Sequence, residues 1–436
     1  MDREVLEELV SNLAFNGIPE EVINKEKEKF EEIIKELKLI IEENPEDPEG
    51  YNNLGKIYYR LRQYELAANN FKTAIKIDTT YSDAYINLGN AYYKQENYDL
   101  AIEVYEQALN ISPDDPDIFN NLGFAYMKKG QNIKAIDNYK KAIAIAPGEA
   151  DFLNNLGNVY YDTGQVDNAI EAYNKAIFEN PYKPDIYYNL AMGYFDKTIL
   201  ELAIDSFEKS ISLDIYNYDA FYTLGLIYDQ IGELSKAIEY FNKSIAVKPD
   251  NEFGYNSLGF TYIKMNLLKE AEKAFLKSIE INPDHSMPYL NLGLVYDQKE
   301  KYNKAIECFE KVIKKDPRSA IAYSFLGVAH LKSYNKEEAI SCFNQALEIE
   351  PYHSEAYYNL GITYSIDDEF DLAEENFKKA LKLDNKYLAA YLDLGLLYER
   401  QKKYILAIEN YKKALQLDPN NQDALDSIRS IEAEVK

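Results

Sequence analysis

Asn-Leu-Gly-Asn-Ala-Tyr-Tyr, residues 87–93, decides the architecture, because its pattern returns along the chain at one fixed interval. Gly89 has counterparts at Gly55, Gly123, Gly157, Gly225, Gly259, Gly293, Gly327, Gly361 and Gly395, and Ala191 fills the one vacancy. Every step is 34 residues, without insertion through eleven copies. A constant period of this length marks one supersecondary unit stacked on itself, each copy covering an apolar face that its neighbour cannot cover alone. Counting domains from the 436-residue length therefore does not apply, since such an array grows along one axis and needs no single large core.

Working outward, residues 48–421 form the array, and each place within a copy has its own rule. The seventh place is always Leu, from Leu54 to Leu394, and the twentieth is always Ala, from Ala67 to Ala407. The twenty-fourth is always Phe or Tyr, as in Phe71, Tyr105 and Phe207, and the eleventh is Tyr except at His330. Pro closes eight copies at the thirty-second place, Thr79, Ile215 and Asn385 being the departures. Apolar residues at places 4, 7, 8 and 11, then at 20, 24 and 27, mark two short amphipathic helices, with Gly or Asn, as at Gly130, Gly164 and Gly232, supplying the turn between them. Small residues at places 8 and 20 let the two helices cross closely, and the aromatics at 11 and 24 fill the space beside the crossing. Helices of about 14 residues are marginal alone, so their stability has to come from burial against neighbours.

These residues carry a family resemblance. The 34-residue period with Leu54, Gly55, Tyr58, Ala67, Phe71 and Ala74, repeated through Leu394, Gly395, Tyr398, Ala407, Tyr411, Ala414 and Pro419, resembles the tetratricopeptide repeat over nearly the whole chain. The resemblance implies an all-α, right-handed superhelical solenoid of stacked antiparallel helix pairs, with a concave groove lined mainly by places 2, 5, 6, 9, 12 and 13 of each first helix.

Function should lie in the columns that packing leaves free. Place 6 is Asn53, Asn87, Asn121, Asn155, Asn189, Asn291 and Asn359, interrupted by Thr223, Ser257, Phe325 and Asp393. This ladder is similar to the one in the repeats of O-linked N-acetylglucosamine transferases, where amides hold the backbone of an extended peptide. An amide both donates and accepts, so the ladder could grip a peptide without reading its sequence, or it could satisfy nearby backbone groups. Place 9 changes character, from Lys56, Asn90, Phe124 and Asn158 to Met192, Leu226, Phe260, Leu294, Val328, Ile362 and Leu396. Seven apolar residues in succession read either as an exposed binding stripe or as side chains packed on the adjacent helix. Place 2 is acidic in most copies (Glu49, Asp83, Asp117, Asp151, Asp185, Asp219, Glu355), which complements the helix dipole or attracts basic ligands. The column speaks against the clamp by which some members of this family hold a carboxylate tail, which needs Lys or Arg near places 2 and 6. Arg60, Lys94 and Lys128 at place 13 carry positive charge in a different arrangement.

The flanks read as caps, with docking on a partner or into the protein's own groove as the alternative for the helix over residues 2–15. Residues 1–47 hold 15 acidic and 6 basic side chains, net −9. Val5, Leu6, Leu9, Val10 and Leu13 give residues 2–15 helical spacing, and residues 19–44, opened by Pro19, form half a repeat that caps the array. Ala424, Leu425, Ile428 and Ile431 predict a capping helix over 422–436.

Composition narrows the function classes. With 74 acidic against 48 basic residues the net charge is −26, which disfavours nucleic acid and anionic membranes as partners. A basic, apolar leader and a membrane-length apolar run are missing from the sequence, which reads as a cytoplasmic protein. Cys308 and Cys342 stand 34 residues apart on neighbouring copies, where equivalent helices are roughly 8–10 Å apart, too far for a disulfide, so free thiols are expected. Three histidines, His285, His330 and His353, are too scattered for a metal site, and no phosphate loop or nucleophile grouping has a suitable setting. The sequence predicts a non-catalytic scaffold without cofactor, binding an extended or helical segment of another protein, or of a second copy, in its groove. The alternative is a regulatory subunit or sensor that takes a small ligand there.

Overall fold

The computed structural model describes residues 20–434. Among them the chain forms 24 α-helices and no strand. Helix α1 (Glu20–Glu43) leads into α2 (Pro48–Arg60) and α3 (Tyr64–Ile77), the first of eleven pairs that end with α22 (Leu388–Arg400) and α23 (Tyr404–Leu417), before α24 (Gln422–Glu434). Each pair has a first helix of 13 residues and a second of 14, at the same places in all eleven copies. The helix expected over residues 2–15 lies outside the described residues. The chain divides into two compact units, one ending at Ile215 and the other beginning at Tyr216, so the division falls at one of the three copies that lack the closing Pro.

The turn inside each copy is made in one way throughout. The residue at place 15 has a positive φ in all eleven copies, from Arg62 (59°) and Glu96 (59°) through Gly232 (85°) to Lys402 (59°). Its N–H bonds back three residues while the next N–H bonds back five, as in Arg62 N to Tyr59 O (3.0 Å) and Gln63 N to Tyr58 O (2.9 Å). This pair of bonds satisfies carbonyls that a helix end leaves open. Gly or Asn was the expected turn residue, yet Arg62, Glu96, Thr198, Glu300, Tyr334, Asp368 and Lys402 do the same work. The left-handed conformation costs such residues roughly 1–2 kcal/mol, and the two bonds together with the packing of the pair they join offset it.

The core explains the small residues more exactly than a helix crossing does. A Cβ on Gly89 would sit 2.4 Å from the ring of Tyr105, and one on Gly293 2.4 Å from the ring of Phe309. Place 8 is therefore the seat of the place-24 ring. The place-20 alanines, from Ala67 to Ala407, are wholly buried beside it. In copies five to seven a buried Ser at place 27 ties the second helix to the start of the first, as Ser244 Oγ donates to Tyr218 O (2.9 Å) and Ser278 Oγ to Glu252 O (2.8 Å). At the leading end Ile34 of α1 joins the core of α2 and α3, with Phe30, Leu37 and Ile41 packed against it. At the far end Ala424 and Ile431 of α24 are buried, and Tyr404 Oη donates to Glu434 (2.7 Å). Cys308 and Cys342 are both free, as expected. Burial pushes each thiol up to about 11, so neither is a ready thiolate.

Candidate functional site

Places 6, 9, 12 and 13 meet on one face in both units. In the first unit Tyr59, Asn90, Tyr93, Lys94, Asn121 and Phe124, with the edge of Tyr105, line a depression of about 320 Å³. In the second unit Ile362, Ser365, Asp393, Leu396, Leu397 and Arg400 line a smaller one of about 120 Å³. Burial raises the pKa of Tyr59 and Tyr93, with Tyr64 and Tyr98 respectively adding to the effect. Each pair stands edge to face, at 5.4 and 5.5 Å.

Four of the seven ladder amides are tied to the copy before. Asn87 Nδ2 donates to Asn52 Oδ1 (3.0 Å), Asn155 to Asn120 (2.9 Å), Asn189 to Asn154 (3.0 Å) and Asn291 to Asn256 (3.1 Å). Every one of these pairs links place 6 of one copy to place 5 of the copy before, 35 residues back. The same contact is Tyr222 with Ser257 (3.2 Å) and Tyr358 donating to Asp393 (2.6 Å), and it becomes an apolar pair where Leu290 precedes Phe325. Burial raises the pKa of Asp393, against the lowering influence of the Tyr358 hydroxyl. Asn53, Asn87, Asn121, Asn155 and Asn189 remain half-buried, whereas Asn291 and Asn359 are buried. Asn359 follows Ser324, and its NH₂ has no partner among the described residues.

Place 9 is coupled to the ring at place 24 of its own copy. Tyr105 Oη donates to Asn90 Oδ1 (2.6 Å) and Tyr173 Oη to Asn158 Oδ1 (2.8 Å). Where place 24 is Phe, from Phe207 to Phe377, place 9 is apolar, from Met192 to Ile362. Leu294, Val328 and Ile362 pack against the cores holding Phe309, Phe343 and Phe377. Phe124 meets Tyr139 edge to face at 5.8 Å, which leaves the buried Tyr139 hydroxyl without a partner among the described residues. The stripe is thus neither wholly covered nor wholly exposed. Met192, Leu226, Leu294, Val328 and Ile362 are half-buried, while Phe260 and Leu396 are 44% and 49% exposed. Lys56 stands exposed over no tyrosine, since its copy has Phe71.

Of the acidic place 2, Asp151 is spent in an ion pair, while the helix start at Asp117 is capped by a carboxylate from outside the column. The Asp115 side chain accepts from the Asp117 N–H, and Asp151 pairs with Lys183. Four copies break the column, with Phe253, Met287 and Ile321, each about half exposed, and with Ala389. No cluster of three metal-ligating side chains occurs among the described residues. Among them no helix is long and apolar enough to cross a membrane.

Comparisons with known proteins bear on the repeat itself. Models of the TPR repeat match residues 56–96, 89–130, 125–164 and 157–198. Models of the tetratricopeptide repeat match 218–251, 254–285, 287–319, 320–353, 354–387 and 389–421. No curated protein matches. Among solved structures, MamA is 35% identical over 37% of this chain and 95% of its own, with a TM-score of 0.36. YrrB, a TPR protein with an unusual peptide-binding site, is 23% identical over 43% of this chain and 97% of its own, at 0.35. Yeast Tom70 is 17% identical over 88% and 95%, at 0.42. With family models covering most of its length and the helix pairs in place, the chain belongs to the tetratricopeptide repeat family, whose members serve as protein–protein interaction scaffolds.

Proposed function

We propose that this chain is a non-catalytic scaffold that holds an extended or helical segment of another protein along the face of its first helices. The observation that carries the reading is the meeting of places 6, 9, 12 and 13 into a depression lined by amides and rings in the first unit, and into one lined by Ile362, Leu396 and Leu397 with Ser365, Asp393 and Arg400 in the second. A peptide in such a groove finds rigid walls already ordered, which lowers the entropic cost of binding. The place-6 amides, having given an N–H to the preceding copy, keep Oδ1 to accept from a peptide N–H. The half-exposed Leu226 and Leu294 would supply affinity through apolar contact.

The test is affinity capture with mass spectrometry, comparing wild type with Leu226→Asp combined with Leu294→Asp. Both side chains are half-buried at the face, so helicity by circular dichroism should hold while the captured partner is lost. Unchanged capture by the double variant would overturn the reading.

A further inference from the structure

The place-13 cations are treated differently in the two units. In the second unit Lys264 pairs with Asp229 (2.5 Å) and Lys332 with Asp297 (2.6 Å), each carboxylate standing at place 12 of the preceding copy. Arg400 donates to Ser365 O (2.7 Å) and pairs with Asp368. In the first unit the residues 35 before Lys94 and Lys128 are Tyr59 and Tyr93, which carry no charge to offer. Arg60, Lys94 and Lys128, and Lys56 beside them at place 9, are all exposed and form no ion pair among the described residues. Lys94 lies 5.9 Å from the Tyr93 ring centre. The adjoining depression contains no carboxylate, although the chain carries 74 acidic residues.

We propose that the face of the first three copies binds an acidic segment of a partner protein, its carboxylates on Arg60, Lys94 and Lys128 and an apolar side chain between Tyr59, Tyr93 and Phe124. This deepens the scaffold reading and rests on it. Lys94 lines an acid-free hollow, and together with Lys56, Arg60 and Lys128 on the same three first helices it outnumbers their place-2 carboxylates Glu49, Asp83 and Asp117, a local positive excess on a strongly negative molecule that favours short acidic ligands over long polyanions. Equivalent places on successive copies are roughly 8–10 Å apart. A polyproline II segment covers that distance in about three residues, and every third side chain then points the same way. Acidic residues at every third position therefore match the column, and the tyrosine and phenylalanine rings suit an apolar anchor.

The experiment is fluorescence anisotropy with a short labelled peptide carrying Asp or Glu at every third position and one central Leu. Its amide counterpart, with Asn and Gln, and a Lys counterpart serve as comparisons. The acidic peptide should bind at least about tenfold tighter than the amide form, and weaken as salt rises from about 50 mM to about 500 mM. R60E/K94E/K128E should lose at least about tenfold for the acidic peptide and gain for the Lys form; the substituted side chains are exposed, and circular dichroism verifies the fold. Equal binding of acidic and amide peptides would overturn the acid preference while leaving the scaffold reading standing. No binding of the acidic peptide, or binding kept by the triple variant or by Asn121→Tyr, which fills the depression, would overturn this site. Equally tight binding of a single-stranded RNA oligonucleotide would overturn the choice of a peptide ligand. Failure here leaves the capture test on Leu226 and Leu294, in the other unit, as the separate measure of the scaffold reading.

Discussion

Copies two and four differ from copies five to ten in one linked pair of places, and the link shows what a column of surface residues records. In the early pair a buried Tyr at place 24 sends its hydroxyl to an Asn at place 9; in the later six a Phe underlies an apolar residue. The polarity of the face is thus set partly from beneath. A hydroxyl buried without an acceptor costs more than the bond it could make, so the residue above a Tyr is chosen to receive it. Copy eleven finds a different answer, Tyr411 donating to Glu399 (2.9 Å), and copy three, with Phe124 over Tyr139, finds none among the described residues.

Breaking the pair on one side should have the largest effect. Asn90→Leu leaves the Tyr105 hydroxyl buried without an acceptor and should cost about 1–3 kcal/mol, whereas Asn90→Leu with Tyr105→Phe should recover most of it. The reverse exchange sharpens the comparison: Phe309→Tyr alone destabilises by a similar amount, and adding Leu294→Asn restores the copy. Urea unfolding of the four variants measures both couplings, and additive effects would show that the places are independent. A smaller effect separates copy three from its neighbours. Tyr139→Phe should be neutral or stabilising, while Tyr105→Phe and Tyr173→Phe each cost about 1 kcal/mol.

The smallest effect concerns Asp393, the acidic member of the place-6 column. Burial raises its pKa in the folded state, so the ionised form is penalised there, and the penalty is full only above that raised value. Below the unfolded carboxylate pKa of about 4 both states are protonated and the penalty vanishes. Asp393→Asn should therefore slow local hydrogen exchange in α22 at neutral pH and leave it unchanged in acid. A gain that persists below about pH 3 would assign the effect to something other than charge.

Much of this was legible in the residues. The period, the helix pairs, the buried alanines and the free thiols follow from what stands at each place. The turn was misjudged because Arg62 or Tyr334 at a positive φ violates local preference, and only the bonds of the completed turn explain how it is held. The Asn ladder was seen, but half of its partnership was not. Asn52 and Asn87 are 35 residues apart, and a column read down a single place cannot show a bond that crosses from place 5 to place 6. The same offset hid the difference between Lys94 and Lys264, identical in place and unlike in company.

The sequence by itself determined the repeat, its length and the family, because a 34-residue period with Leu, Gly, Ala and an aromatic ring at set places has one economical packing. Tertiary structure decided which face residues are spoken for. Their hydrogen bonds, ion pairs and ring contacts run between copies or between the two helices of one copy, and such distances exist only once the helices have stacked.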